Sequence, residues 1–117
     1  KYVFMLSDGY IMPLYEHLIE IGVDAINSQL FTMPMEEIAR RYRGKITFWG
    51  EMDRQHILHF GTPEEVRAAV GRVRAAFDDG HGGVIGQAEF NRGYPLENIR
   101  AFFEAWWGPP EGDPRAA

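Results

Sequence analysis

The chain contains no cysteine, which excludes disulfides and any thiolate-bound metal. It has no apolar run approaching the ~18 residues needed to span a bilayer, and no segment patterned like a signal peptide. A cytoplasmic protein without a membrane partner is therefore expected. Basic residues form no stripe: 12 Lys plus Arg stand against 17 Asp plus Glu, a formal net charge of −5. Arg40, Arg41 and Arg43 do cluster, but at the end of a helical pattern, where cations meet the negative end of the helix dipole. Nucleic acid is accordingly not expected as a partner. Low-complexity segments and hairpin turns are missing as well. What fills the 117 residues is 45% hydrophobic and 14% aromatic, enough for one domain with a real core.

What is present is a fourfold alternation. Apolar β-like runs at Tyr2–Leu6, Val23–Ile26, Lys45–Trp49 and Gly83–Gly86 each end in a small polar cluster. The clusters are Ser7-Asp8-Gly9, Asn27-Ser28-Gln29, Gly50-Glu51-Met52-Asp53 and Gln87-Ala88-Glu89, and a helical pattern follows each. The runs are continuously apolar, as strands of a helix-covered parallel sheet require. Pro13 opens the first helix, Met12 to Ile21, with Leu14, Leu18 and Ile21 on one face. Pro34 opens the second, Met35 to Tyr42. Thr62-Pro63-Glu64-Glu65 has the form of a capping box, and Val66, Val70, Val73 and Phe77 make a 3.6-residue stripe after it. Pro95 opens the last helix, with Ile99, Phe102, Phe103 and Trp106 as its expected buried face. The connection from Gly50 to Gly61 is the longest, with room for one helical turn.

The fold class expected is α/β, four parallel βα units with right-handed crossovers. Four units make half of a (βα)8 barrel, for which about 250 residues are typical, and the chain opens at Lys1 directly into a strand. The expectation is the carboxyl-terminal half of a larger barrel over residues 1–107, with a disordered Pro- and Gly-rich tail over 108–117. A complete small α/β domain is the alternative. Half a barrel leaves two unpaired sheet edges, so self-association through them is expected.

Parallel strands put their carboxyl ends on one side, where such folds gather ligand groups. Asp8, Gln29, Glu51, Asp53, Gln87 and Glu89 should therefore surround one mouth. Asp8 and Glu89 are the leading catalytic candidates and Asp53 the next; for Asp8 the competing role is the Asp-Gly turn. Glu51 and Asp53, two residues apart, suit a base and its partner, or else loop charges that bind Arg54. Gln29, Glu51 and Gln87 suit substrate binding, and the two amides serve equally to satisfy loop backbone. His17 and His81 read as surface residues. His56 and His59 are spaced as a metal pair on a helical face but lack a third ligand nearby. Trp106 and Trp107 read as core and rim packing.

Five stretches, in order, resemble the uroporphyrinogen decarboxylase superfamily. Phe4-Met5-Leu6-Ser7-Asp8-Gly9 is similar to its "HSDG" or "HxCG" stretch, and Leu18 to Asn27 to its "LIEIGVDxxN". Ile46 to Asp53 matches "ixFWGgiD", Phe60 to Val66 "GTPEEV", and Pro95 to Ile99 "PxENI". The resemblance implies the last four βα units of a (βα)8 barrel. It also implies a small-molecule substrate, either a tetrapyrrole or a methyl donor. In one branch of the family carbon dioxide is removed from the acetate arms of uroporphyrinogen without a cofactor. In the other, zinc-dependent enzymes transfer a methyl group from a corrinoid protein or methyl donor to a thiol.

The zinc branch places His and Cys at positions matching Leu6 and Asp8, and a Cys near Ala88. Two of those three are apolar here, so the reading is of no metal and no other cofactor. The decarboxylases place a His near the last strand's end, where this chain has Gln87-Ala88-Glu89. Their principal catalytic Asp and their arginine contacts lie in the amino-terminal half. The leading expectation is a fragment of a carboxy-lyase, inactive by itself. The rivals are a methyltransferase relative without the usual zinc and a non-catalytic half-barrel that acts as a binding module.

Overall fold

The computed structural model describes residues 1–108; residues 109–117, which hold most of the expected tail, lie outside the described residues. The four strands are β1 (Phe4–Ser7), β2 (Ala25–Ser28), β3 (Thr47–Trp49) and β4 (Val84–Ile85). They form one sheet in the order β1-β2-β3-β4, every pair parallel. Consecutive order with all-parallel pairing is the arrangement of half a (βα)8 barrel. The helices are α1 (Tyr15–Glu20), α2 (Met35–Tyr42), α3 (Ile57–Phe60), α4 (Pro63–Phe77) and α5 (Leu96–Trp107), with 3-10 turns at Met12–Leu14 and Leu30–Thr32. No helix among the described residues is long and apolar enough to cross a membrane.

Strand alternation decides which side chains meet the helices. Met5, Ile26, Phe48 and Val84 point into the layer formed with α1, α2 and α4. Phe48 is its centre, fully buried, stacked on Phe77 at 4.2 Å between ring centroids and edge-on to Tyr15 at 5.8 Å. A second apolar cluster joins α3, α4 and α5 through Leu58, Val66, Val70, Ala101 and Phe102. The helix α4 sits in both. Its stripe is buried as expected, and Thr62 Oγ1 caps it by accepting from the Glu65 backbone N–H at 3.2 Å.

Several boundaries and faces differ from expectation, each for a local reason. The strands begin two residues later at β1, β2 and β3, and β4 is only two residues long. Val23 and Ile46, apolar and buried, belong to the turns that enter the strands. The first helix begins as a 3-10 turn, and Leu14 and Ile21 are 46% and 76% exposed. Tyr15 takes the core position instead, because its hydroxyl finds Ser28 Oγ at 2.6 Å beneath the sheet. Burial raises the Tyr15 hydroxyl to a pKa of about 12, with the Ser28 bond opposing. On α5 the fully buried residues are Asn98, Ala101 and Phe102, while Phe103 is exposed and Trp106 half-buried. Asn98 earns its place by donating to the carbonyls of Leu58 and Gly61 at 3.0 and 2.8 Å.

Among the described residues, no helix covers the opposite face of the sheet. By register it carries Phe4 and Leu6 from β1, Ala25 and Asn27 from β2, Thr47 and Trp49 from β3, and Ile85 from β4. Phe4 and Leu6 are 54% and 62% exposed there.

Candidate functional site at the strand ends

The alternation along that open face continues past the strands. Asp8 lies two residues beyond Leu6, Gln29 two beyond Asn27, and Gln87 and Glu89 two and four beyond Ile85. After β3 the chain bends at Gly50, whose φ is +65°, and the Gly50–Glu51 peptide is cis. A Cβ at Gly50 would stand 2.8 Å from Gln87 Cβ, so only glycine fits between the two strand ends. Two backbone bonds stitch this extension together: Gly50 N–H to the Ile85 carbonyl at 2.9 Å, and Met52 N–H to the Gln87 carbonyl at 3.2 Å.

The cluster centres on Arg54. Its guanidinium pairs with Glu51 at 3.1 Å, with Glu89 in direct hydrogen-bond contact, and with Asp8 at 3.7 Å. These carboxylates follow β3, β4 and β1. One guanidinium thus joins acids that follow β1, β3 and β4, including both edge strands. The Tyr94 hydroxyl donates to the Arg54 carbonyl and holds the backbone of this turn. Among the described residues, no three His, Cys, Asp or Glu side chains stand together as a metal site.

The three carboxylates are not equivalent. Asp8 and Glu89 side chains are 58% and 49% exposed, whereas Glu51 is 4% exposed. Burial raises the Glu51 pKa above its ordinary 4.5; the Arg54 charge opposes this, and the charges of Asp8, Glu89 and Asp53 reinforce it. Glu51 thus retains its proton to higher pH than a solvated glutamate does. Asp53 faces the turn that follows it. Its Oδ1 accepts from the backbone N–H groups of Gln55 and His56, each at 3.0 Å, and Oδ2 lies 3.4 Å from His56 Nδ1. Gln29 Oε1 accepts from the Gly9 N–H at 2.6 Å, tying the ends of β1 and β2. Gln87 Oε1 and Asn27 Oδ1 are buried acceptors without a protein partner, while Asn27 Nδ2 donates to the Trp49 carbonyl at 2.7 Å. Ala88 packs against the α3–α4–α5 cluster.

The structure thus gathers Asp8, Glu51 and Glu89 on one guanidinium, with Gln29 and Gln87 beside them and Asp53 in the supporting turn. Sequence reasoning ranked the acids and treated Arg54 only as a possible partner. Its central place had one signal: acids converging from several strand ends require a countercharge, and Arg54 is in the same strand-end segment. Asn27 and Tyr94 gave no comparable signal.

A pH prediction follows from Glu51. Between 4.5 and its raised folded value, the folded state holds a proton that the unfolded state has released. Stability therefore falls as pH rises through that window, and the loss persists above it. Glu51→Gln is expected to flatten the stability profile from pH 4.5 upward. Urea midpoints measured from pH 4.5 to 8 check this, and parallel profiles for the two proteins would contradict it.

The chain is similar to uroporphyrinogen decarboxylase of Nitrosomonas europaea, 32% identical over 96 residues that cover 77% of this chain and 25% of that protein. The chain thus spans about a quarter of the length of the curated relative it matches. No protein-family model and no solved structure matches it.

Proposed function

We propose that this chain is the carboxyl-terminal half of a uroporphyrinogen-decarboxylase-like (βα)8 barrel. The reaction is cofactor-free decarboxylation of a tetrapyrrole acetate side chain in porphyrin biosynthesis. The observation that carries the reading is the convergence of Asp8, Glu51 and Glu89 on Arg54 at the carboxyl ends of the strands, where a barrel places its chemistry. Similarity to the Nitrosomonas decarboxylase supports the same reading.

In this chemistry a pyrrole carbon takes a proton, the bond to the departing carboxylate breaks, and its electron pair returns to the cationic ring. A second proton then quenches the exocyclic methylene while the ring carbon gives the first proton back to an acidic side chain, which restores the neutral aromatic pyrrole and leaves a methyl group and carbon dioxide. Asp8 and Glu89, exposed to the mouth, stabilise the positive ring electrostatically. Glu51, with its raised proton affinity, supplies the acid. Asp53 holds the turn that carries Arg54, and Arg54 keeps the acids at fixed spacing. Gln29 and Gln87 orient the substrate. The amino-terminal half of the barrel supplies the contacts for the substrate's remaining carboxylates.

Asp8→Asn or Glu89→Gln, made in the full barrel that carries this segment, is expected to lower the rate of carbon dioxide release by about 100-fold or more. The melting temperature should barely move, because both side chains are largely solvated. Glu64→Gln, on the exposed start of α4, should change neither. Undiminished turnover in both site variants would end the assignment.

A further inference from the structure

We propose that Tyr94 is a positioning residue of the strand-end site: through its hydroxyl on the Arg54 main chain, and braced by the ring of His59, it fixes the Arg54 guanidinium among Asp8, Glu51 and Glu89. The inference rests on reading that cluster as the acid–base site, and not on which substrate the site takes.

The turn that carries Arg54 does not hold it. Arg54 lies between β3 and α3, and the bonds made within this stretch run through Asp53. Asp53 Oδ1 accepts from the N–H groups of Gln55 and His56, and the Asp53 carbonyl accepts from the Leu58 N–H at 3.0 Å. None of these fixes the Arg54 carbonyl, which is met instead by the Tyr94 hydroxyl, 40 residues further along the chain. The same segment supplies Glu89, which grips the guanidinium. Arg54 is thus held at both ends, main chain and head group, by the stretch between β4 and α5. An arginine side chain has much rotamer freedom to lose, so a fixed backbone under it matters to where its charge comes to rest.

Tyr94 is itself held on every side. Its ring stacks on His59 at 4.7 Å between centroids and 24° between planes, and His59 stacks in turn on Phe60 at 4.0 Å. The ring packs against the apolar cluster of α3, α4 and α5. The Tyr94 N–H donates to the Asn91 carbonyl at 3.3 Å, and Asn91 Nδ2 donates to the hydroxyl at 3.4 Å. Pro95 follows, which restricts the Tyr94 backbone to extended conformations. Packing alone would need the ring and not the hydroxyl. The hydroxyl is spent on the main chain of the residue that pairs with all three acids. The Arg54 charge is what opposes the effect of burial on Glu51. A guanidinium that drifts outward from 3.1 Å loses that attraction in inverse proportion to distance. Tyr94 therefore governs, through Arg54, the pH at which Glu51 gives up its proton.

Tyr94→Phe, made in the full barrel that carries this segment, keeps the ring stack and removes the hydroxyl. The Glu51 carboxyl, followed by carbon NMR and assigned by the loss of its signal in Glu51→Gln, is expected to titrate at higher pH than in the unmodified protein. Added to Arg54→Met, the same substitution should shift the midpoint no further, because no guanidinium remains to be placed. His59→Ala, which removes the brace, should reproduce part of the shift. Tyr2→Phe, which removes a hydroxyl from a side chain 84% exposed, should produce none. Under turnover, Tyr94→Phe should lower kcat about tenfold with KM within about twofold, since it displaces a group that acts on the chemistry and not on binding. The limb of the pH–rate profile where Glu51 loses its proton should move up with the titration. An unmoved midpoint, a fall towards an ordinary carboxylate, or an equal shift in the Arg54→Met background would overturn the positioning role, whatever happens to the melting temperature. The titration is read without substrate, so undiminished turnover in the Asp8 and Glu89 variants would end the decarboxylase assignment without moving it.

Discussion

Arg54→Met is expected to destabilise the fold by about 3 kcal/mol at pH 8, and by progressively less as the pH is lowered. The substitution preserves most of the side chain's apolar stem and removes only its charge. What it leaves behind is Glu51, 4% exposed, with Asp8 and Glu89 nearby and no countercharge. Removing one partner of a buried ion pair typically costs about 3–5 kcal/mol. Arg54 is 22% exposed, which places the effect at the lower end. Glu51 has an escape: with the opposing Arg54 charge gone its pKa rises further, and by taking up a proton it sheds the cost of an unpaired charge. That escape is cheap at pH 6 and expensive at pH 8, which gives the expected pH dependence. At pH 8 the melting temperature should drop by roughly 10–20 °C for a domain of this size. Adding Glu51→Gln to Arg54→Met should restore most of the loss, because a neutral amide needs no countercharge. A drop below about 1 kcal/mol, or a double variant no more stable than Arg54→Met alone, would show that the pair at 3.1 Å contributes little.

The parts of this molecule that were legible in the sequence are those where one physical demand dominates. β2 is buried at all four positions, so its composition had to be apolar or tightly paired. The α4 helix sits between two apolar clusters, and its four-residue stripe and capping Thr62 left no ambiguity. The α1 and α5 faces were misread where a polar group competes for the interior. Tyr15 joins Leu18 in the interior in place of Leu14 and Ile21 because Ser28 can satisfy its hydroxyl, and Asn98 is buried because two loop carbonyls need a donor. Periodicity weighs apolarity alone and cannot register a polar residue whose partners come from distant parts of the chain. The candidate site was legible by position, since strand ends in a parallel sheet share one side. Its internal order was not, because which carboxylate is buried depends on the bend at Gly50, a property of backbone direction and not of residue type.

That bend is the basis of the second large effect. Gly50→Ala is expected to cost about 3–4 kcal/mol and to dissolve the cluster around Arg54. Alanine at a positive φ costs about 1–2 kcal/mol on its own, and Gly50 has φ +65°. The added methyl would also sit 2.8 Å from Gln87 Cβ and 3.0 Å from the Gln87 carbonyl oxygen. Rotating the Gln87 side chain cannot relieve a clash with its backbone and Cβ, so the extensions of β3 and β4 must separate. That separation strains the bonds from Gly50 N–H to Ile85 and from Met52 N–H to Gln87, and it lets water reach Glu51. Glu51 should then titrate close to an ordinary carboxylate, because its raised proton affinity comes first from burial. Gly9→Ala provides the comparison: φ is +84° there, but a Cβ meets nothing within 4 Å, so only the backbone cost of about 1–2 kcal/mol applies. Urea unfolding of the two variants, with the Glu51 carboxyl followed by carbon NMR across pH, separates the contributions. Equal losses for Gly50→Ala and Gly9→Ala, with Glu51 titrating as in the unmodified chain, would mean that the close approach to Gln87 does not shape the site.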